Sequence, residues 1–339
     1  RGIMSKPPRI AIKRLRPNLG EAKRIAGLKD LTTEVELLAF LGKGENVPHP
    51  NIIAIHAVGT DDDDVHAMGT DGGGGWNSSP ISFIVLDQLR CTLKNKLYKW
   101  REAKGLGMLI TTTALRELWL ERLVVLMRVA SALAFLHGKG IVHRDVNCQN
   151  IGFDYEDCVK LFDFGLARRM GNNHKQKSDR GGDIEAEADH CDNDRKDNGS
   201  NCCSNNNNNN NNDDATYDMS GQTGTLRYMA PEVYANVPYG AKADVHSLSI
   251  VMHHVLSLLE PYANVPRSKF ESMVLEGGTR PTIDASWPGG IRRMLMRMWS
   301  VESRRRPSSE EVLTFLEGTL RGSDDELYPT SSFQRLFAS

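Results

Sequence analysis

Residues 141–165, IVHRDVNCQNIGFDYEDCVKLFDFG, constrain this chain more than any other stretch. His143-Arg144-Asp145 is followed five residues later by Asn150, and Asp163-Phe164-Gly165 comes thirteen residues after that. Three oxygen-bearing side chains therefore stand at the ends of short apolar runs, a place to hold a metal ion and a hydroxyl. The chain around them has 339 residues with ordinary charged and apolar fractions, enough for a large core and two lobes. A formal charge of −1 leaves no footprint for nucleic acid or an anionic membrane.

Phosphoryl transfer needs a carboxylate that takes or orients the attacking hydroxyl, and ligands that hold magnesium on the phosphates. Asp145 suits the first task, Asn150 and Asp163 the second. Either triplet alone could be an ordinary turn, but the spacing H-R-D-x-x-x-x-N followed by D-F-G resembles the protein kinase family. Further motifs in the family's order strengthen the resemblance.

RIAIKRL at 9–15 alternates apolar and basic residues, the pattern of a half-exposed strand. It is similar to the family's V-A-I-K strand, which implies that Lys13 grips the nucleotide's α and β phosphates and that Ala11 lies against the nucleotide. In KDLTTEVELLAFL at 29–41, Val35, Leu37, Leu38 and Leu41 recur at helical spacing, with Thr32 or Thr33 as a cap. The resemblance makes Glu34 the partner of Lys13, with Glu36 the alternative register.

The family's glycine-rich G-x-G-x-x-G hairpin is not found before Lys13, where only twelve residues stand. We therefore expect a chain cut short at its N-terminus. Gly42-x-Gly44 comes after Glu34 and reads as the loop closing that helix. HPNIIAIHAV at 49–58 reads as a turn into a buried strand, with ISFIVL at 81–86 as its hairpin partner. The acidic, then glycine-rich stretch between them has no periodicity and is expected to be a loop. By resemblance Leu86 stands at the back of the adenine pocket, and Asp87-Gln88-Leu89 is the hinge. Backbone groups of Asp87 and Leu89 would bind the adenine.

Leu93, Leu97 and Trp100 suggest a short helix, and 118–137 a long apolar one feeding the 141–165 stretch. Residues 171–214, with eight consecutive asparagines at 205–212, are too polar to fold on a core, so a disordered insertion is expected. Order is expected to return at GTLRYMAPE, 224–232, whose G-T-x-x-Y form is similar to serine/threonine kinases. There Thr225 would brace Asp145, and Glu232 would pair with Arg306. The helix at 243–259 would hold the His143-Arg144 backbone through Asp244, and a last helix is expected near 308–319. His253 and His254, adjacent in that first helix, do not face one site.

The resemblance spans residues 9–319 and implies an α+β bilobal fold: a small β-rich lobe at 1–89, a helical lobe at 90–320 and a polar tail at 321–339. Leu38, Ile55, His143 and Phe164 would stack between the lobes. It implies ATP and Mg2+ as cofactors, with Asn150 and Asp163 on the metal, a protein substrate, and a monomer. Three positions depart from the family's pattern, one of them Ser249, which replaces a glycine of the 243–259 helix and is expected to be a packing variant. Asn147 replaces a lysine that contacts the transferring phosphate, so a slower reaction is expected, with Asn147 itself hydrogen-bonding the phosphate. Gly152 replaces a leucine under the adenine, so a looser pocket is expected. Serine/threonine phosphorylation of proteins is the leading expectation; a non-catalytic interaction module with the same fold is the alternative.

No run approaches the 18 apolar residues a membrane helix needs, RGIMSKPPRI has no signal-peptide core, and the six cysteines follow no framework. An intracellular protein, cytoplasmic or nuclear, with reduced thiols is expected. Cys191, Cys202, Cys203 and His190 lack zinc-finger spacing, and Asp61–Asp64 lack that of a calcium loop.

Overall fold

A computed structural model describes residues 9–16, 18–42, 48–60, 65–67, 81–105, 112–170, 216–217, 219–221 and 223–327. The acidic run 61–64, the glycine run, Gly44, the 171–214 insertion with its cysteines and the end of the tail lie outside them.

The N-terminal part is built on strand β1 (Ile10–Arg14), helix α1 (Glu21–Leu41) and strands β2 (Ile55–Thr60), β3 (Val65–Ala67) and β4 (Ile81–Asp87). They form one antiparallel sheet in the order β1-β4-β2-β3. β1 is an edge strand, so Ile10 and Ile12 remain on the surface while Lys13 turns inward. Val65–Ala67, expected as loop, pairs with Ala57–Gly59. Three residues are too few to show a period of two, and backbone pairing alone recruits them.

The helix expected at 29–41 begins eight residues earlier, at Glu21, with Gly20 as N-cap and no side-chain capping bond. Thr32 and Thr33 lie inside it. Its first ten residues bury no side chain, so periodicity could not reveal them; the helix-forming run Glu-Ala-Lys-Arg carries them instead. From Leu31 the helix presents Leu31, Val35 and Leu38 to the core, with Glu34 fully buried on the same stripe.

The C-terminal part opens with strand β5 (Cys91–Thr92), helix α2 (Leu93–Gly105) and the long helix α3 (Thr112–Gly138). Leu126, Val129, Leu133 and Leu136 of α3 are fully buried, each stabilising by roughly 1.5–3 kcal/mol relative to exposure. Leu126→Ala would cost about 2–5 kcal/mol. Strands β6 (Ile141–Val142), β7 (Ile151–Phe153), β8 (Val159–Leu161) and β9 (Arg168–Arg169) make two small sheets, β5-β7-β8 and β6-β9. Helices α4 (Pro231–Tyr234), α5 (Lys242–Ser257), α6 (Gly289–Met298) and α7 (Ser309–Leu327) complete the fold. α5 is buried along nearly its whole length, and α7 packs along α3. α7 runs eight residues beyond the expected end at 319, through the start of what reads as a polar tail.

This is the two-part α+β architecture expected from the resemblance. Arg306 forms a bidentate pair with Glu232, at 2.5 and 2.8 Å, and also donates to the carbonyls of Ser300, Lys242 and Val301. That network ties α4 to α5 and to the turn before α7. His143 and Phe164 meet edge to face, ring centroids 4.9 Å apart, in the same core as Leu38 and Ile55. Met170 N–H donates to Gly140 O beside β9, and Tyr217 and Tyr239 exchange backbone hydrogen bonds, so the described residues on both sides of 171–215 are tied into the fold. No helix among the described residues is long and apolar enough to cross a membrane.

Candidate active site

β1 and α1 supply the upper wall. Lys13 Nζ donates to Glu34 Oε2 at 2.5 Å and to Asp163 Oδ1 at 2.8 Å, while Glu34 Oε1 accepts the Phe164 N–H at 3.3 Å. Glu34 therefore joins the lysine to the segment that carries Asp163. Burial alone would lower the Lys13 pKa, but the Glu34 and Asp163 carboxylates outweigh it and hold the ammonium form above its usual range. Glu36, the alternative partner, is exposed.

Asp163 has φ 66 and Arg144 φ 71, left-handed conformations that cost a non-glycine residue roughly 1–3 kcal/mol each. Both are over-determined by their surroundings. Asp163 is held by Lys13, and the Arg144 and His143 N–H groups donate to Asp244 at 2.8 and 2.7 Å. Burial would raise the Asp244 pKa, but the His137 imidazole and the bonds at His143 more than offset it, and the carboxyl stays below its ordinary value. His137 also meets Ser309 Oγ at 2.8 Å. Sequence reading identified Asp244 and missed His137 and Ser309, because only folding brings α3, α5 and α7 to one point.

Asp145 is clamped from two sides. Its Oδ1 accepts both the N–H and the hydroxyl of Thr225 at 2.8 Å, and its Oδ2 accepts Asn150 Nδ2 at 2.7 Å. Gly224, at φ 96, lets Thr225 come this close; a Cβ there would stand 2.5 Å from the Arg144 carbonyl. Asn150 Nδ2 also donates to Asp145 O at 3.0 Å, so its amide nitrogen is spent inward. Its Oδ1 accepts no hydrogen bond among the described residues and, with the part-exposed Asp163 carboxylate, gives hard oxygen donors of the kind magnesium prefers.

Asn147 is engaged on every side. Its Nδ2 donates to Asp145 O and Thr225 Oγ1, both at 3.1 Å, and its Oδ1 accepts Gln149 N at 2.7 Å and Asn150 N at 3.3 Å. An amide has two donors and two lone pairs. None is left for a phosphate in this arrangement, so the residue expected to hydrogen-bond the transferring group acts here as a brace.

At the back of the cleft, Ala11 stands opposite Leu86 in the β1–β4 register, and Leu86 is buried. The Asp87 N–H is committed to Ala54 O, and its carboxylate to Ala54 N and His56 Nε2. The space expected to be loose at Gly152 is already filled. A Cβ there would lie 2.5 Å from Leu89 Cδ1 and 3.2 Å from the Phe162 ring. The predicted site residues thus fall into three groups: Lys13, Glu34 and Asp163; Asp145, Asn147 and Asn150; and Ala11, Leu86, Asp87, Leu89 and Gly152.

Two family models match the chain: a protein kinase domain over residues 5–184, and a protein tyrosine and serine/threonine kinase model over 206–316. Among curated relatives, the serine/threonine-protein kinase STY46 of Arabidopsis thaliana is 28% identical over 57% of the chain and 26% of its own length. The serine/threonine-protein kinase VIK of the same plant is 24% identical over 91% of the chain and 54% of its own length. The chain spans only part of the length of these relatives.

Proposed function

The chain belongs to the protein kinase family, and from that premise we propose that it transfers phosphate from ATP to serine or threonine hydroxyls of proteins. The observation that carries this reading is the clamped Asp145 carboxylate, fixed by Thr225 and Asn150 at the mouth of a cleft whose other wall holds a paired lysine.

Asp145 orients the substrate hydroxyl and takes its proton, and Lys13 positions the nucleotide's phosphates with Glu34 holding its ammonium in place. Asn150 and Asp163 are the residues that would hold magnesium, which when bound neutralises charge on the phosphates. Leu86 and Leu89 shape the adenine end, with Gly152 leaving room for Leu89. The oxygen donors of Asn150 and Asp163 suit a cation that keeps waters and phosphate oxygens in its shell.

One observation favours a second reading, a non-catalytic interaction module: the fully bonded Asn147 puts no cation beside Asp145. Transfer of radiolabelled phosphate to a protein substrate, with Asp145→Asn as control, separates the two. We expect incorporation by the native protein and loss of at least 100-fold in the variant; equal incorporation by both would sink the catalytic reading.

A further inference from the structure

Beside Asp145 lies an open cavity of ≈ 590 Å³ that the phosphotransfer chemistry does not use. Thr225, whose hydroxyl bonds Asp145, forms part of its wall, so a peptide that presents a hydroxyl to Asp145 must lay neighbouring residues into this space. The floor is closed by the buried Leu97, Cys148, Tyr228 and His254, with the His254 Nδ1 facing the Tyr228 hydroxyl and the Cys148 thiol. Cys148 is buried, and its thiol is pushed up to about 12, so the floor holds no reactive thiolate.

The rim is cationic. α2 brings Lys94, Lys99 and Arg101 to one side, and Arg227 stands beside Thr225 on the other. Glu260 is the single carboxylate in the lining, and it pairs with Arg227 at 3.1 Å. Arg101 gives its Nε to the Leu258 carbonyl. Lys94 and Lys99 are exposed and have no ion-pair partner among the described residues. Gln149 contributes an amide where a carboxylate would welcome an arginine. A substrate arginine would meet unpaired ammonium groups here; a substrate carboxylate would meet two partners.

We propose that this cavity selects protein segments carrying Asp or Glu within a few residues of the phosphorylated hydroxyl, with Lys94 and Lys99 as the residues that read the charge. The inference rests on the phosphotransfer reading and names its substrate class. Exposed ion pairs are individually weak and are screened by salt. The preference is therefore moderate, roughly tenfold in kcat/KM at low ionic strength, and shrinks as salt is added.

The test uses the full chain and three serine peptides of one scaffold, with Asp, Ala or Arg flanking the acceptor. The Asp peptide is expected to be turned over best, and Lys94→Glu with Lys99→Glu is expected to move the preference to the Arg peptide. Equal kcat/KM for all three peptides, or an unchanged order in the charge-reversed variant, overturns the inference and leaves phosphotransfer standing. Absence of phosphate on any peptide or protein counts against phosphotransfer itself. Fluorescence anisotropy of the labelled peptides then decides the cavity separately: tighter binding of the Asp peptide, reversed in the variant, upholds it, and equal binding removes it.

Discussion

Arg144 reaches Ser220 twice, its Nη2 lying 2.7 Å from the Ser220 carbonyl and 2.6 Å from the hydroxyl, and the same nitrogen donates to Thr223 Oγ1 at 2.9 Å. Its Nε is buried without a partner among the described residues. A guanidinium whose Nη2 already reaches two hydroxyls is arranged to capture a phosphate placed on either, which adds roughly −1.5 to −2 charges and three acceptor oxygens. We expect phosphatase treatment to lower activity several-fold and Ser220→Ala with Thr223→Ala to reproduce the loss. Full activity in that double variant, with no phosphate on 216–225 by mass spectrometry, would reduce Arg144 to a structural residue.

Removing Lys13 should separate catalysis from folding. Lys13→Met is expected to cut kcat/KM at least 100-fold, about 2.7 kcal/mol of transition-state stabilisation. Its effect on stability should be smaller, about 1–2 kcal/mol, because the lysine side chain is 40% exposed although Glu34 is buried. Chemical denaturation beside a steady-state assay checks both; comparable kinetics in the variant would remove Lys13 from the nucleotide site.

Acid should destabilise the fold through His254. Burial, reinforced by Arg101, lowers its pKa from 6.5 to about 4, and its Nδ1 faces the Tyr228 hydroxyl at 3.3 Å. The unfolded chain binds a proton below 6.5 while the folded chain does not, so this contribution is complete above pH 6.5 and is lost as pH falls toward 4. At pH 5 the loss is about 2 kcal/mol. Urea midpoints at pH 7.5 and 5 should show a smaller acid drop in His254→Leu than in the native protein. His49, held near the same value by burial, keeps part of the slope. An identical slope in both proteins would place the acid sensitivity elsewhere.

Gly152 and Leu89 should behave as a size-matched pair. Gly152→Leu alone forces Leu89 aside and is expected to weaken nucleotide binding several-fold, as overpacking costs about 1–3 kcal/mol. Leu89→Ala opens the space, and the two changes together should bind more tightly than Gly152→Leu alone. Calorimetric titration with the nucleotide measures this, and additive losses in the double variant would show that the residues do not share the space.

Much of this site was legible because chemistry that acts at a point fixes residue types at short spacing. Asp145 and Asn150 belong to one loop, and Asp163 to the next turn. Lys13 and Glu34 needed the family's pattern as well, since neither residue is unusual on its own strand or helix. The first turns of α1 were hidden because they bury nothing, and β3 because a three-residue strand carries no period. The bracing role of Asn147 is hidden in the sequence for another reason. Its partner Thr225 stands 78 residues away, and only the closed loop shows that the amide is consumed.

The two anchors of residues 171–215, at Gly140 and at the Tyr217–Tyr239 bridge, have a consequence for how such a sequence can drift. Between two fixed anchors, chain length enters the free energy of a connection only as a logarithm, with each doubling costing about 0.6 kcal/mol. Insertions and deletions in the asparagine run, whose composition offers no apolar face to a core, are therefore expected to be nearly neutral for the fold. A stretch of this kind can expand or contract from one generation to the next while the residues around Asp145 stay where they are.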